Sequence, residues 1–180
     1  MPYVFDEDSK LLSDVLSKLD PVDNFLEIGV GRGGNLLVAA QKSRFCVGTD
    51  IGKMSEIDPS IRSLAELVIS DKASCFHQSS FDLIVFNPPY VPSNSVVDLS
   101  VDGGEGGIEI PLKFLGSALG ALKPDGQILV VLSSEDSLQE FEQVCEGLNL
   151  IITKFAEKNL FFEKLFVFAI KRALKNSNIT

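Results

Sequence analysis

The chain has 180 residues, 45% of them hydrophobic, and a formal net charge of −9, a balance that supports a packed core and excludes a disordered chain. No apolar run approaches the ~18 residues of a membrane span, and the N-terminal MPYVFDEDSK is acidic where a signal peptide is basic and then apolar. The longest basic run is Lys171-Arg172, so direct neutralisation of nucleic-acid phosphates is disfavoured, and a protein substrate, above all a basic one, suits the charge better.

Taken in chain order, an acidic N-terminal stretch precedes a helix led by Leu11 and Leu12. NFLEIG (24–29) predicts a buried strand, and GNLLVAAQKS (34–43) a helix with Leu36, Leu37 and Ala40 on one face. FCVGTD (45–50) is strand-like, DPSIRSLAEL (58–67) gives one or two helical turns, and VIS (68–70) is a short strand. DLIVFN (82–87) is a central strand that the two prolines of FNPPY must stop, because each lacks an N–H and fixes φ. IEIPLKFLGSALGAL (108–122) predicts a helix with Pro111 in its first turn, and KPDG (123–126) a turn. QILVVLS (127–133) is a buried strand, EDSLQEFEQVCEGL (135–148) an amphipathic helix, and LIITKFAEK with FFEKLFVFAIKR a closing antiparallel pair. Strands without clean alternation, separated by helices, imply a doubly wound α/β fold with a parallel sheet covered on both faces. The expected organisation is one domain over 1–172 and a frayed tail over 173–180, in a cytosolic, soluble protein.

Three cysteines, Cys46, Cys75 and Cys145, are odd in number and in no paired spacing, which predicts buried reduced thiols. His77 is the sole histidine and cannot form a metal cluster by itself. No metal is expected.

Ligands of doubly wound sheets bind beyond the carboxyl ends of the strands. There the first strand runs into Glu27-Ile28-Gly29-Val30-Gly31-Arg32-Gly33. Glycines at such a turn permit positive φ and close backbone approach. Asp50 ends the next strand at the distance where an acid accepts ribose hydroxyls, and Asp71 ends the third, placed to receive an exocyclic amine. A dinucleotide pyrophosphate wants G-x-G-x-x-G without a carboxylate beside it. Here the third glycine comes one residue early and Glu27 precedes the loop. That charge suits a cation, and S-adenosylmethionine, with its sulfonium and ammonium, is favoured over NAD.

Asn87-Pro88-Pro89-Tyr90 ends the fourth strand, beside the first. An sp² amino nitrogen is a weak nucleophile because its lone pair is delocalised. A site can accept both of its hydrogens, on the Asn87 side-chain oxygen and the Pro88 carbonyl, and so orient the lone pair and stabilise developing positive charge. Pro88 and Pro89 hold that frame, and Tyr90 offers a flat face for a planar amide or base.

At these residues the chain resembles class I S-adenosylmethionine-dependent methyltransferases with an N-P-P-Y motif, and within them the HemK/PrmC family of release-factor glutamine methyltransferases. LEIGVGRGGN, Asp50, VISD, FDLIVFNPPYVP, the Asp102–Gly107 run DGGEGG and KPDGQILVV carry the resemblance across nearly the whole chain. It implies a Rossmann-like, seven-stranded, mostly parallel sheet with a closing antiparallel strand. With about twenty residues before the first strand, the chain is similar to the compact eukaryotic and archaeal branch, which methylates the glutamine of Gly-Gly-Gln in the class 1 translation termination factor. That branch begins with a Tyr-Glu-Pro-x-Glu-Asp-Thr/Ser pattern. Tyr3, Glu7, Asp8 and Ser9 match it, whereas Val4 and Phe5 depart from it, and the match implies that Tyr3 and Asp8 lie near the donor.

The resemblance also implies a heterodimer with a small zinc-binding activator protein. The short stretch after Asp50 leaves a sheet edge thinly covered, which places Leu64, Leu67, Val68 and Ile69, with Cys75 and Phe76 nearby, either at that interface or in the core. DGGEGG is either a wall of the substrate groove or a plain connection. A second reading keeps the chemistry on an exocyclic amine of adenine or guanine in DNA or RNA. A donor-binding scaffold without catalysis is a third, and the intact Glu27, Asp50, Asp71 and Asn87 argue against it.

Overall fold

The computed structural model describes residues 7–52, 54, 57–89, 91–92 and 102–173, with the backbone alone at 91, 92 and 102. Tyr3, Tyr90 and the tail beyond 173 lie outside the described residues. In chain order the elements are α1 (Glu7–Leu16), β1 (Val22–Ile28), α2 (Gly34–Ala39), β2 (Ser43–Asp50), β3 (Glu66–Ile69), β4 (Phe81–Phe86), β5 (Val91–Pro92), β6 (Asp102–Gly104), α3 (Glu109–Ala121), β7 (Leu122–Ser133), α4 (Leu138–Gly147), β8 (Leu150–Asn159) and β9 (Lys164–Arg172). Single 3-10 turns occupy Ile61–Ser63 and Glu105–Gly107.

Seven strands form one sheet in the order β3-β2-β1-β4-β7-β9-β8. The β3-β2-β1-β4-β7 block is parallel, whereas β9 runs antiparallel to β7 and to β8. Successive residues of the central strands feed opposite faces, as a two-residue period requires. Leu26, Ile28, Ile84, Phe86 and Val130 join α3 and α4 residues such as Leu115, Ala118 and Phe141 on one side. Phe25, Leu83, Val85, Leu129 and Val131 meet α1 and Leu36 of α2 on the other. Helix α1 buries Leu11, Leu12, Val15 and Leu16, the one-sided stripe of a helix laid on a sheet. Two-sided burial explains why the strands read as continuous apolar runs.

Several local expectations give way to tertiary constraints. Helix α2 ends at Ala39, where Ser43 Oγ already donates to the Ala39 carbonyl and β2 begins. In so short a helix Leu36 and Ala39 are buried and Leu37 is exposed, rather than Leu36, Leu37 and Ala40 sharing a buried face. KPDG is a bulge inside β7, not a turn before it: pairing passes from Phe81–Leu122 to Leu83–Gln127 and the four residues between loop out. The 58–67 segment keeps a single 3-10 turn, and β3 starts two residues earlier than VIS. Cys46 and Cys145 are buried, and burial pushes their thiols up to about 12 and about 11. Cys75 is exposed, because it sits in the turns of residues 70–80, off the sheet.

The order reverses between β1 and β4, which pair from Phe25–Leu83 to Ile28–Phe86. Gly29 and Asn87 therefore leave the sheet side by side. This is the switch point at which doubly wound sheets hold ligands.

Candidate active site

The turn after β1 carries Gly29, Gly31 and Gly33 at φ of +80°, +52° and +86°. Two of them answer different needs. A Cβ at Gly33 would lie 2.5 Å from Ile61 Cδ1, so this glycine admits the 3-10 turn that packs over the loop. Around Gly31 no atom of the described residues lies within 4 Å of that position, so among them its backbone faces space that a ligand can enter.

Glu27, on the penultimate residue of β1, is 2% exposed. Its Oε1 accepts from Asn35 Nδ2 at 3.1 Å, and Asn35 Oδ1 in turn accepts from Ser13 Oγ at 2.8 Å. A hydrogen-bonded line thus joins α1, α2 and β1. Glu27 Oε2 is buried with no partner. Burial, partly offset by the Asn35 bond and a backbone N–H, pushes the carboxyl up to about 8. A buried acid with one oxygen unmet is a poor structural element and a good receptor for a cation.

Asp50, the last residue of β2, reaches back to the same turn: Oδ2 accepts from Gly31 N at 3.3 Å and Oδ1 from Gly52 N at 2.9 Å. Asp71 is not gathered in the same way. It lies two residues past β3, its side chain is 71% exposed, and it pairs with Lys72 at 2.5 Å.

Across the switch point, Asn87 follows β4 directly. Its Nδ2 donates to Asp8 Oδ2 at 2.9 Å, and its Oδ1 is buried with no partner. A carboxylate only accepts, so Asp8 fixes which end of the amide faces it. Pro88 is buried and Pro89 half-buried, and the peptide bonds of the described residues are all trans. Asp8 thus touches Asn87 through α1, a contact between residues far apart in the chain. The DGGEGG segment is not a plain loop: β6 pairs with β5, the strand that follows the N-P-P-Y turn, and Ser137 N donates to the Gly106 carbonyl.

Sequence reasoning missed Asn35, Ser13 and Phe114. Asn35 had a signal, a polar residue opening an otherwise apolar helix. Phe114 had none, since its place, 5.6 Å from the Phe86 ring centroid and near Gly29, depends on how α3 crosses the sheet.

S-adenosylmethionine fits this set of groups. Two buried oxygens without partners, Glu27 Oε2 and Asn87 Oδ1, sit at the ends of the adjacent strands β1 and β4, and the turn after β1 is open at Gly31 among the described residues. Strand order, glycine turn and flanking acids together define a class I S-adenosylmethionine-dependent methyltransferase. No family model matches the chain. A Methanocaldococcus jannaschii protein named as a protein N5-glutamine methyltransferase is 32% identical over 181 residues, covering 92% of this chain and 90% of its own length. The Caulobacter vibrioides release factor glutamine methyltransferase is 30% identical over 135 residues, covering 63% of this chain, which spans about half of that longer protein (46%). The chain belongs to the protein N5-glutamine methyltransferase family. Its fold is similar to that of the E. cuniculi Mtq2–Trm112 complex, responsible for methylation of the eRF1 translation termination factor (TM-score 0.75, 21% identity, 95% of this chain and 98% of that one). It is also similar to Burkholderia thailandensis 1,6-didemethyltoxoflavin-N1-methyltransferase, solved with S-adenosylhomocysteine (TM-score 0.65, 13% identity, 92% and 80%).

Proposed function

We propose that the protein methylates the side-chain amide nitrogen of the glutamine in the Gly-Gly-Gln motif of a class 1 translation termination factor, in the cytoplasm. The observation that carries this reading is the buried Asn87 Oδ1, which has no partner among the described residues and is the uncommitted end of the amide because its Nδ2 is bonded to Asp8.

In this reading the Glu27 carboxylate, Asp50, Asp71 and the turn of Gly29, Gly31 and Gly33 hold the donor, with Tyr3 and Asp8 close by. When bound, the donor supplies a methyl carbon made electrophilic by a positively charged sulfur. Asn87 Oδ1 accepts one N–H of the glutamine amide and the Pro88 carbonyl accepts the other. These two bonds would turn the nitrogen lone pair toward the methyl carbon and stabilise the charge that grows on nitrogen as the N–C bond forms and the methyl–sulfur bond breaks, its electron pair returning to sulfur. No general base is needed before transfer; the surplus proton leaves the nitrogen afterwards. Pro88 and Pro89 keep the frame rigid and Tyr90 gives the amide a face to lie on.

The same proposal includes a small zinc-binding partner on the β3 edge. Leu64, Ile69 and Ile51 are 50%, 68% and 70% exposed there, around a four-residue strand whose outer edge is unpaired among the described residues. Unpaired apolar edges of this kind suit a second chain. Leu67, Val68 and Phe76 instead pack partly against the two cores, so the partner meets Leu64 and Ile69 first.

Labelled methyl donor tests the proposal. The enzyme, with the partner present, is offered termination factor carrying Gly-Gly-Gln or Gly-Gly-Ala, with single- and double-stranded nucleic acid in parallel. Label on the glutamine form alone is expected. Label on nucleic acid and none on protein would overturn the substrate and leave the Asn87 chemistry standing.

A further inference from the structure

The β8–β9 turn carries a feature that neither the fold nor the donor site explains. Phe161 and Phe162 are 92% and 89% exposed and stack edge to face, with ring centroids 4.7 Å apart. They occupy the centre of a tight turn closed by Leu160 N donating to the Glu163 carbonyl, positions that favour glycine, asparagine or proline. Two aromatic side chains standing in water come near the size of the largest apolar patch on an ordinary monomer, which is often functional.

Topology decides what this patch can meet. Strand β8 is antiparallel to β9, β9 to β7, and β7 parallel to β4. The turn after β8 therefore lies on the same carboxyl edge as Asn87. Two strands, β7 and β9, separate β4 from β8, about 12 Å across at about 4.8 Å per strand, and the register (Phe86–Val130, Val130–Phe168) carries the turn about five residues further along the strand direction than Asn87, so it lies roughly 20 Å from the Asn87 end of β4. An extended peptide covers that span in about six residues. The hairpin is also tied to the site: Lys158, near the end of β8, bridges to Glu7, and the next residue, Asp8, receives the Asn87 amide.

The surroundings select the occupant. Exposed Glu135, buried Asp136 and half-buried Glu163 surround the root of the turn, where Ser133 Oγ donates to Glu163. The nearby basic groups are engaged elsewhere, Lys158 with Glu7 and Lys154 with Glu157, and Lys164 lies close enough to Glu157 to lower its pKa. With a chain charge of −9, an anionic lipid surface or nucleic acid would be repelled. A protein segment with an apolar side chain and flanking basic charge fits.

We propose that Phe161 and Phe162 form a docking point for the substrate protein, gripping an apolar residue about six positions from the methylated glutamine. This rests on the protein-glutamine reading above. The test is the double variant F161S/F162S in the heterodimeric form. Its affinity for the intact termination factor is measured directly, alongside donor affinity, solution mass and methyl transfer to both the factor and a Gly-Gly-Gln-centred peptide of about five residues, too short to reach the turn. The expected result is factor affinity weakened about tenfold or more, with donor affinity and peptide methylation unchanged. If the variant binds and methylates the factor as wild type does, the docking point is wrong and the activity stands. If wild type neither binds nor methylates the factor, both readings fall. Equal loss on peptide and factor would make the turn a structural element, and an assembly of two such enzymes that comes apart in the variant without loss of factor binding would make it a self-association surface. Either overturns the proposal.

Discussion

Asn87 Nδ2 donates to Asp8 Oδ2 at 2.9 Å across 79 positions of chain, and this single bond leaves the Asn87 oxygen buried, unpartnered and facing away from the acid. An amide can present either end to a neighbour, and a carboxylate removes that freedom. The acid on α1 thereby sets what the end of β4 offers to a substrate.

In the proposed mechanism, replacing Asn87 with Ala removes the acceptor for the substrate N–H. Loss of one such polar contact in a preorganised site costs about 10²–10³ in kcat, and the donor affinity should change far less. Asp8→Asn tests the positioning role, because an asparagine can accept or donate and no longer dictates the Asn87 flip. A drop of about tenfold or more in kcat with KM for the protein substrate little changed is expected from steady-state kinetics. Full activity in Asp8→Asn would show that the flip is set by something else.

If Glu27 receives the donor's cation as proposed, donor binding depends on pH. Its carboxyl sits at about 8 in the free protein, so much of it is protonated at neutral pH and must lose that proton to meet a cation. Affinity for the donor should rise from pH 6 to about 8 and level off above, with proton release that calorimetry in buffers of different ionisation enthalpy would register. Glu27→Gln should abolish the pH dependence and weaken binding throughout.

The same shift acts on stability with a definite sign. Between the ordinary 4.5 and about 8, the folded protein holds a proton on Glu27 that the unfolded chain has lost, so stability falls as pH rises through that window. Asp136, pushed up to about 7 by burial and by Glu163 and Glu135, has the same sign between 3.8 and about 7. Thermal unfolding of ligand-free Glu27→Gln at pH 8 should therefore show a higher Tm than wild type, the reverse of the usual outcome for a site mutation. Asp136→Asn should lessen the decline over its own range. An unchanged Tm–pH slope in both variants would contradict these shifts.

Asn35→Ala strips the partner from Glu27 Oε1 and from the Ser13 hydroxyl at once. Unmet buried polar groups cost about 1–3 kcal/mol each, so denaturant unfolding should show a loss in that range together with weaker donor binding. Ser13→Ala, at the half-buried end of the line, should cost less.

Two glycine substitutions should separate. Gly33→Ala drives a methyl against Ile61 and holds an alanine at φ +86°, so it should lower Tm by displacing the 3-10 turn. Gly31→Ala meets open space at φ +52°; it should fold with a small loss and show its main effect as reduced donor affinity. Equal Tm losses would place both residues in the packing of the loop.

The sequence alone determined the order and kind of the main elements, because two-sided burial writes itself as apolar runs and helices as amphipathic periods. It also marked the glycine turn, Asp50 and the Asn-Pro-Pro stop, whose chemistry is local: positive φ, a strand-end acid, a ring without an N–H. Where short-range signals met long-range demands, the structure prevailed. Leu37 turned outward because the rotation of α2 on the sheet gives its buried face to Leu36 and Ala39, and Pro-Asp-Gly became a bulge because β4 and β7 continue their pairing beyond it. Only the tertiary structure could bring Asp8 to Asn87, link Ser13 through Asn35 to Glu27, and strand two phenylalanines in solvent on the carboxyl edge. Those relations depend on how α1 lies across the sheet and on which edge β8 ends. Residues so far apart in sequence carry no mark of meeting until the core that α1, β4 and β8 share has brought them together.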